Sequence, residues 1–217
     1  GVLVENCDPV IRNCTFIENI SDTSGGGLAL WVSNAVVENC SFIANTGGHG
    51  GGLYGNTCVS RIRSCTFNNN SSGGSRSGGA VYLINGYDTI ENCTFYGNTA
   101  DALEGGAIRS INFEMKITNC TFFLNSAVDG GGVYGTIGYP EIHNCIFWGN
   151  SASSDYDQIN PGCAVTYSIV QSGYTGGFFV STQDPLLMDL ADNGGPVSTM
   201  AIHRTSPAMN MGDFSQA

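Results

Sequence analysis

Few residues in this 217-residue chain carry side chains able to act on a ligand. His49 stands inside Gly47-Gly48-His49-Gly50-Gly51-Gly52, and Arg61-Ile62-Arg63 follows closely. An imidazole and guanidinium groups on neighbouring segments could serve the cleavage of an acidic polysaccharide. Glycoside hydrolysis, however, needs two carboxyl groups within about 10 Å, one to protonate the leaving group and one to activate water. Glu38 is the outward acid that the segments flanking His49 offer, and no Asp-Asp pair occurs. An elimination needs an Arg or Lys poised to take the proton α to a carboxylate, beside acids that hold Ca²⁺. Arg109 and Lys116 lie close in sequence, but no two-acid cluster accompanies them. Asp155 with Asp157, and Asp189 with Asp192, could hold Ca²⁺ through oxygen ligands, although acids in turns also serve as caps. These residues designate no catalytic group, no metal ligand and no cofactor beyond that Ca²⁺ option.

Composition narrows the classes further. The chain has 31 Gly and 9 Cys, is 12% charged and carries a net charge of −11. Neutralising phosphates needs clusters of Lys and Arg, and only seven such residues exist, which argues against nucleic acid. No apolar run approaches the roughly 18 residues of a membrane span. With 41% hydrophobic residues the chain can build a core. Gly1 is read as the start of a processed chain or a fragment.

The elements that must position these side chains follow from an internal repeat. Cys-x-Phe-x-x-Asn occurs at Cys14/Phe16/Asn19, Cys40/Phe42/Asn45, Cys65/Phe67/Asn70, Cys93/Phe95/Asn98, Cys120/Phe122/Asn125 and Cys145/Phe147/Asn150, with Cys-to-Cys spacings of 26, 25, 28, 27 and 25. An apolar residue precedes each Cys by three, from Ile11 to Ile142, and Asn or Ser precedes it directly. A glycine pair separates successive motifs. Such units lack the leucine spacing of leucine-rich repeats and the helix formers of helical repeats. They read as short strands with period-two alternation: Ile or Val in, Asn bending the chain through the left-handed region, then Cys in, Thr out and Phe in. One turn of a parallel β-helix fits about 25 residues, and coils about 4.8 Å apart give a rod roughly 30 Å long.

Stacking turns repeat positions into ladders. Ile/Val, Cys and Phe supply the dry core, and the Asn19 to Asn150 series is expected to form a buried amide ladder. Outside, Arg12, Glu38, Arg63, Glu91, Thr118 and His143 read as a solvated charge ladder. The six ladder cysteines are expected to be buried free thiols, because their side chains run parallel and no Cys-x-x-Cys pair exists for zinc. Cys7, Cys58 and Cys163 lie off the ladder. Cys7 and Cys58 fall two coils apart, about 10 Å, too far to bridge. The Asn-x-Ser/Thr matches at Asn13, Asn39, Asn92 and Asn119 fall out of the repeat itself. Three residues after each ladder Cys stand Ile17, Ile43, Asn68, Tyr96, Phe123 and Trp148. The last three would stack as an outward aromatic stripe, the candidate binding site for sugar rings or partner proteins, unless a loop from residues 151–183 covers them.

The tetrapeptides Gly78-Gly79-Ala80-Val81 and Gly105-Gly106-Ala107-Ile108, with Phe95-Tyr96-Gly97-Asn98 between them, resemble the repeats of polymorphic outer-membrane proteins and related bacterial surface β-helices. From Asp184-Pro185-Leu186-Leu187 through Leu190-Ala191-Asp192-Asn193-Gly194-Gly195-Pro196 to Ser206-Pro207-Ala208 the chain is similar to the segment after the last coils of large secreted bacterial β-helix proteins. Gly48-His49-Gly50 also resembles the Gly-His-Gly of polygalacturonases, but the glycine-rich strand start accounts for that match. The resemblance implies an all-β, right-handed parallel β-helix of six to seven coils over residues 1–150, then a last irregular coil and C-terminal cap over 151–217. It further implies a secreted or cell-surface location. The expected role is non-enzymatic, structural or adhesive. The alternatives are a carbohydrate-active lyase or hydrolase using His49, Arg109 and Lys116, and a carbohydrate-binding module using Tyr96, Phe123 and Trp148. Expected partners are glycans or surface proteins. Because Gly1-Val2-Leu3-Val4 enters directly into repeat-like sequence, the first coil is expected to be covered by upstream chain or by another subunit in a head-to-tail fibre.

Overall fold

The structure, a computed structural model, describes residues 1–74, 76–209 and 211–213. Among these residues there are strands and no helix. Each coil contributes one strand to a first sheet, running Val2–Glu5, Leu28–Trp31, Leu53–Asn56, Val81–Ile84, Ile108–Ile111 and Val133–Gly135. Two further strands per coil, such as Tyr87–Glu91 and Thr94–Tyr96, build a second, bent sheet whose two halves meet in Ala164–Val170. A short third sheet runs from Thr46–Gly47 to Ser151–Asp155. Coil-to-coil pairing is parallel, with one register shift in the third sheet between Ala127 and Asp129, and Phe42, Phe67, Phe95, Phe122 and Phe147 pair in sequence. The protein is a parallel β-solenoid of about six turns.

The interior shows what sets this register. The six Phe rings stack face to face, with centroids 4.3–4.9 Å apart from Phe16 to Phe147. Beside them runs the amide ladder. Asn98 Nδ2 donates to Asn125 Oδ1 at 2.9 Å and to the Phe67 carbonyl at 3.0 Å, while Asn98 Oδ1 accepts from Asn70 Nδ2 and from the Asn70 N–H. The pattern repeats from Asn19 to Asn150. Gln158 then closes it, accepting from Asn150 Nδ2 at 2.7 Å and donating to the Asn150 carbonyl. A buried amide costs free energy unless paired, and here each interior carboxamide is paired four ways.

The two bends of each coil use different residues. Asn13, Asn39, Ser64, Asn92, Asn119 and Asn144 do take the left-handed conformation, with φ of 52–54°. At the second bend, however, the left-handed residue is the one before the ladder Asn: Glu18, Ala44, Asn69, Gly97, Leu124 and Gly149. The Asn side chain holds that turn, and its neighbour supplies the φ. One glycine per coil is sterically required: a Cβ on Gly51, Gly79, Gly106 or Gly131 would lie 2.2–2.4 Å from a carbonyl oxygen of the next coil.

Residues 151–181 extend the rod, and Tyr174 and Val180 pack against its core. Residues 184–209 and 211–213 then run along the flank of the second sheet. Their antiparallel pair, Leu187–Ala191 with Thr199–Ile202, is tied down where Thr66 Oγ1 donates to the Ser198 carbonyl. Asn144 exchanges two hydrogen bonds with the Asp213 backbone. This strap explains why the outward-facing Thr66 is buried.

Candidate functional site

Two outward faces carry the side chains with chemical potential. On the second sheet Ile17, Ile43, Asn68, Tyr96, Phe123 and Trp148 lie in one register row. Tyr96 and Phe123 stack on each other, centroids 6.0 Å apart and planes 28° from parallel. The faces of Tyr96 and Phe123 are therefore turned toward each other. All three aromatics are half-buried. Ser198 of the C-terminal segment meets the adjoining threonine row at Thr66, and the Gln171 side chain from the 151–183 segment accepts the Gly149 N–H next to Trp148.

The first sheet holds a second cluster, which the periodicity alone does not reveal. Its outward row reads Ala29, Tyr54, Tyr82, Arg109 and Tyr134 in register. Tyr54 and Tyr82 stack at 5.7 Å, and Trp31 tilts against Tyr54 at 5.2 Å. The loop that leads into Gly50 brings His49 over Tyr82, with ring centroids 4.6 Å apart. Two of the candidates, His49 and Arg109, thus flank Tyr82, whereas Lys116 lies on the second sheet between Glu114 at 3.4 Å and Glu141 at 3.6 Å. Those two acids, Glu141 first, hold the Lys116 ammonium above its ordinary range.

The electrostatics show what this cluster can do. Burial, aided by the charge of Arg76, pushes the His49 imidazole down, so it is neutral near pH 7, and its buried Nδ1 has no hydrogen-bond partner among the described residues. Burial likewise pushes the Tyr82 phenol up, so it stays protonated and serves as a donor. Arg109 is only 8% exposed and is held on several sides. Its Nε faces Glu104 at 3.6 Å, its Nη1 donates to the Ser110 carbonyl at 2.7 Å and to Thr136 Oγ1 at 3.1 Å, and its guanidinium lies 5.0 Å over the Tyr134 ring. Glu104 in turn accepts from Ser77 Oγ at 2.8 Å. The guanidinium is a brace between coils, while the imidazole and the phenol remain able to meet a ligand.

The remaining candidates are placed as follows. Asp157 Oδ1 accepts the Ala152 N–H, and Asp192 Oδ1 accepts the Gly194 N–H, both local turn bonds. The Asp155 N–H donates to Asp129. Among the described residues no three His, Cys, Asp or Glu side chains converge as metal ligands. Cys40, Cys65, Cys93, Cys120 and Cys145 are buried free thiols, as are Cys58 and Cys163, whereas Cys14 of the first coil and Cys7 are exposed. In the charge ladder Glu38 bridges Arg12 and Arg63, but Glu91 pairs with Arg61.

A search of curated proteins and a search of solved structures return no match. A family model described as right handed beta helix region matches residues 52–189, more than half of the chain, and that span holds the ladder rungs from Phe67 and Asn70 to Phe147 and Asn150. With its stacked parallel coils, the chain belongs to the right-handed β-helix family.

Proposed function

We propose that the chain is a non-enzymatic β-solenoid, secreted or held on a cell surface, with a structural and adhesive role. The observation that carries this reading is how the candidate catalytic side chains are spent. Arg109 is committed to Glu104 and to the adjacent coil, and Lys116 lies between two glutamates. What the rod presents outward is long rows of side chains repeated from coil to coil, suited to extended contacts with glycans or surface proteins. The first coil is the place for an end-to-end contact with upstream chain or another copy. Asn19 donates to Asn45, and its own Oδ1 accepts nothing among the described residues. A carboxamide from a further coil would complete that pairing.

The His49–Tyr82 pair favours one rival reading, a carbohydrate-active β-helix in which the neutral imidazole takes a proton. Incubation with neutral and uronate polysaccharides, followed by assays for reducing and unsaturated ends, decides between them. Retention on a glycan array or on cells without product release is expected. Turnover abolished by His49→Ala would overturn the non-enzymatic reading in favour of its rival.

A further inference from the structure

The last coil departs from the repeat in two turns that line one hollow. Gly50, Gly78, Gly105 and Gly130 hold the left-handed conformation before each first-sheet strand, with φ of 62–74°, and Tyr156 takes their place in the backbone ladder at φ of 65°. That conformation costs an L side chain free energy that glycine escapes. The next residue, glycine by steric necessity at Gly51, Gly79, Gly106 and Gly131, is here Asp157. Further along the same coil Val170 pairs with Phe147, and Gln171-Ser172-Gly173 follow where the coil before has Trp148-Gly149-Asn150. This coil thus supplies neither a Phe ring nor a ladder Asn, and the Gln158 side chain closes the amide ladder instead.

Between the two turns lies a hollow of about 270 Å³, whose lining includes Tyr156, Asp157, Ile159, Gln171, Ser172 and Tyr174. Ile159 is buried at its floor, while Tyr156, Asp157 and Ser172 are exposed at its rim. The Tyr174 hydroxyl lies 3.1 Å from the carbonyl oxygens of both Asn160 and Cys163, which ties one turn to the other. Asp157 Oδ1 accepts the Ala152 N–H, and Gln171 Oε1 accepts the Gly149 N–H. Asp157 Oδ2, Gln171 Nε2 and Ser172 Oγ have no partner among the described residues.

We propose that this hollow is a subsite for one neutral pyranose ring, the end unit of a glycan, an inference that rests on the glycan contacts proposed above. A pyranose carries an apolar face and a girdle of hydroxyls. Tyr156, Tyr174 and Ile159 offer apolar surface to the face. Asp157 Oδ2 accepts from hydroxyls, Gln171 Nε2 donates to one, and Ser172 Oγ can do either. The volume stands at the low end for small-molecule sites, which suits one ring and not a chain. The Asp157 carboxylate and the net charge of −11 select against uronates, whose own carboxylate would meet like charge. A tyrosine held in the left-handed region has its reason here, because strained residues persist where they place a side chain for a ligand.

The test titrates the 217-residue chain with D-glucose, D-galactose, D-mannose, N-acetyl-D-glucosamine and D-glucuronic acid, followed through backbone amide resonances. A neutral sugar is expected to shift residues 156–159 and 171–175 saturably, with a Kd of about 1 mM, and glucuronic acid to bind more weakly. Asp157→Asn keeps an acceptor for the Ala152 N–H and is expected to weaken binding at least about tenfold. Tyr156→Gly restores the residue of the other coils, so the thermal midpoint should hold or rise while binding falls about fivefold. The same variants on a glycan array separate the sources: retention lost in both supports the end unit of a chain, and a monosaccharide response lost in both supports the free sugar. Shifts confined to other residues, or parent-like binding and retention in both variants, would overturn the subsite and leave the glycan reading standing. A parent chain that no sugar shifts and no glycan retains would overturn both.

Discussion

Replacing Asp88 by Asn isolates the least comfortable charge in the core. Asp88 is 2% exposed and has no cationic partner within its hydrogen-bonding shell among the described residues. Its Oδ1 accepts the Ser60 N–H at 2.7 Å and its Oδ2 accepts Asn112 Nδ2 at 2.7 Å. Burial outweighs these bonds and pushes the carboxyl up from 3.8 to about 6. The nearby Cys58 thiol is itself pushed up by burial and stays protonated throughout the acid range. A raised carboxyl pKa means that the folded state holds the proton more tightly than the unfolded chain does. Stability from this group is therefore fully present below about pH 4 and is lost as pH rises through about 6. At about 1.4 kcal/mol per unit, two units correspond to about 3 kcal/mol between pH 4 and pH 7. Urea unfolding of the parent chain and of Asp88→Asn at both pH values measures it, because the difference between the two proteins cancels the other carboxylates. The parent should gain about 3 kcal/mol relative to the variant on acidification. Parallel pH profiles for the two proteins would refute the reasoning.

Three other outcomes are expected. Phe95, stacked between Phe67 and Phe122, should cost about 3–5 kcal/mol when changed to Ala, read as a lower midpoint in chemical denaturation. Asn98→Ala leaves the Asn70 amide and the Phe67 carbonyl unpaired in the interior and should cost roughly 1–3 kcal/mol, read from the thermal midpoint. In timed alkylation of the native protein Cys7 and Cys14 should react, while the seven buried cysteines react only on denaturation; burial also holds thiols such as Cys120 and Cys163 protonated and unreactive.

The solenoid was legible in the sequence because its interior demands one residue type at each ladder position. A Phe stack needs Phe in every coil, and an amide ladder with four bonds per carboxamide needs Asn, so the requirement appears as a written repeat. Positions whose constraint is geometric left no such trace. The left-handed residue before each ladder Asn is Glu, Ala, Asn, Gly, Leu or Gly, since the Asn side chain fixes the turn and tolerates whatever supplies the φ. The His49–Tyr82 contact is hidden for another reason: it depends on how a loop folds over its neighbour, and loop length carries no periodic signal.

Coil length shows where this architecture leaves room for function. From Gly26 to Asn45, Gly51 to Asn70, Gly79 to Asn98, Gly106 to Asn125 and Gly131 to Asn150 the distance is 19 residues each time. From Asn45 to Gly51 it is 6, from Asn70 to Gly79 9, from Asn98 to Gly106 8 and from Asn125 to Gly131 6. The constant block holds both bends, the Phe stack and the amide ladder. A one-residue slip there would turn Phe out of the core and break the bonds of the Asn with it. The variable stretch crosses the third sheet and returns to the required glycine, and a longer loop there costs little because closure entropy grows slowly with length. His49, Arg76 and Glu104 all lie in these stretches, beside the Tyr54 and Tyr82 row. Changes in ligand preference are therefore expected to come from exchanging residues 46–50, 71–78 and 99–105, which alter what stands over the tyrosines without disturbing the register of the rod.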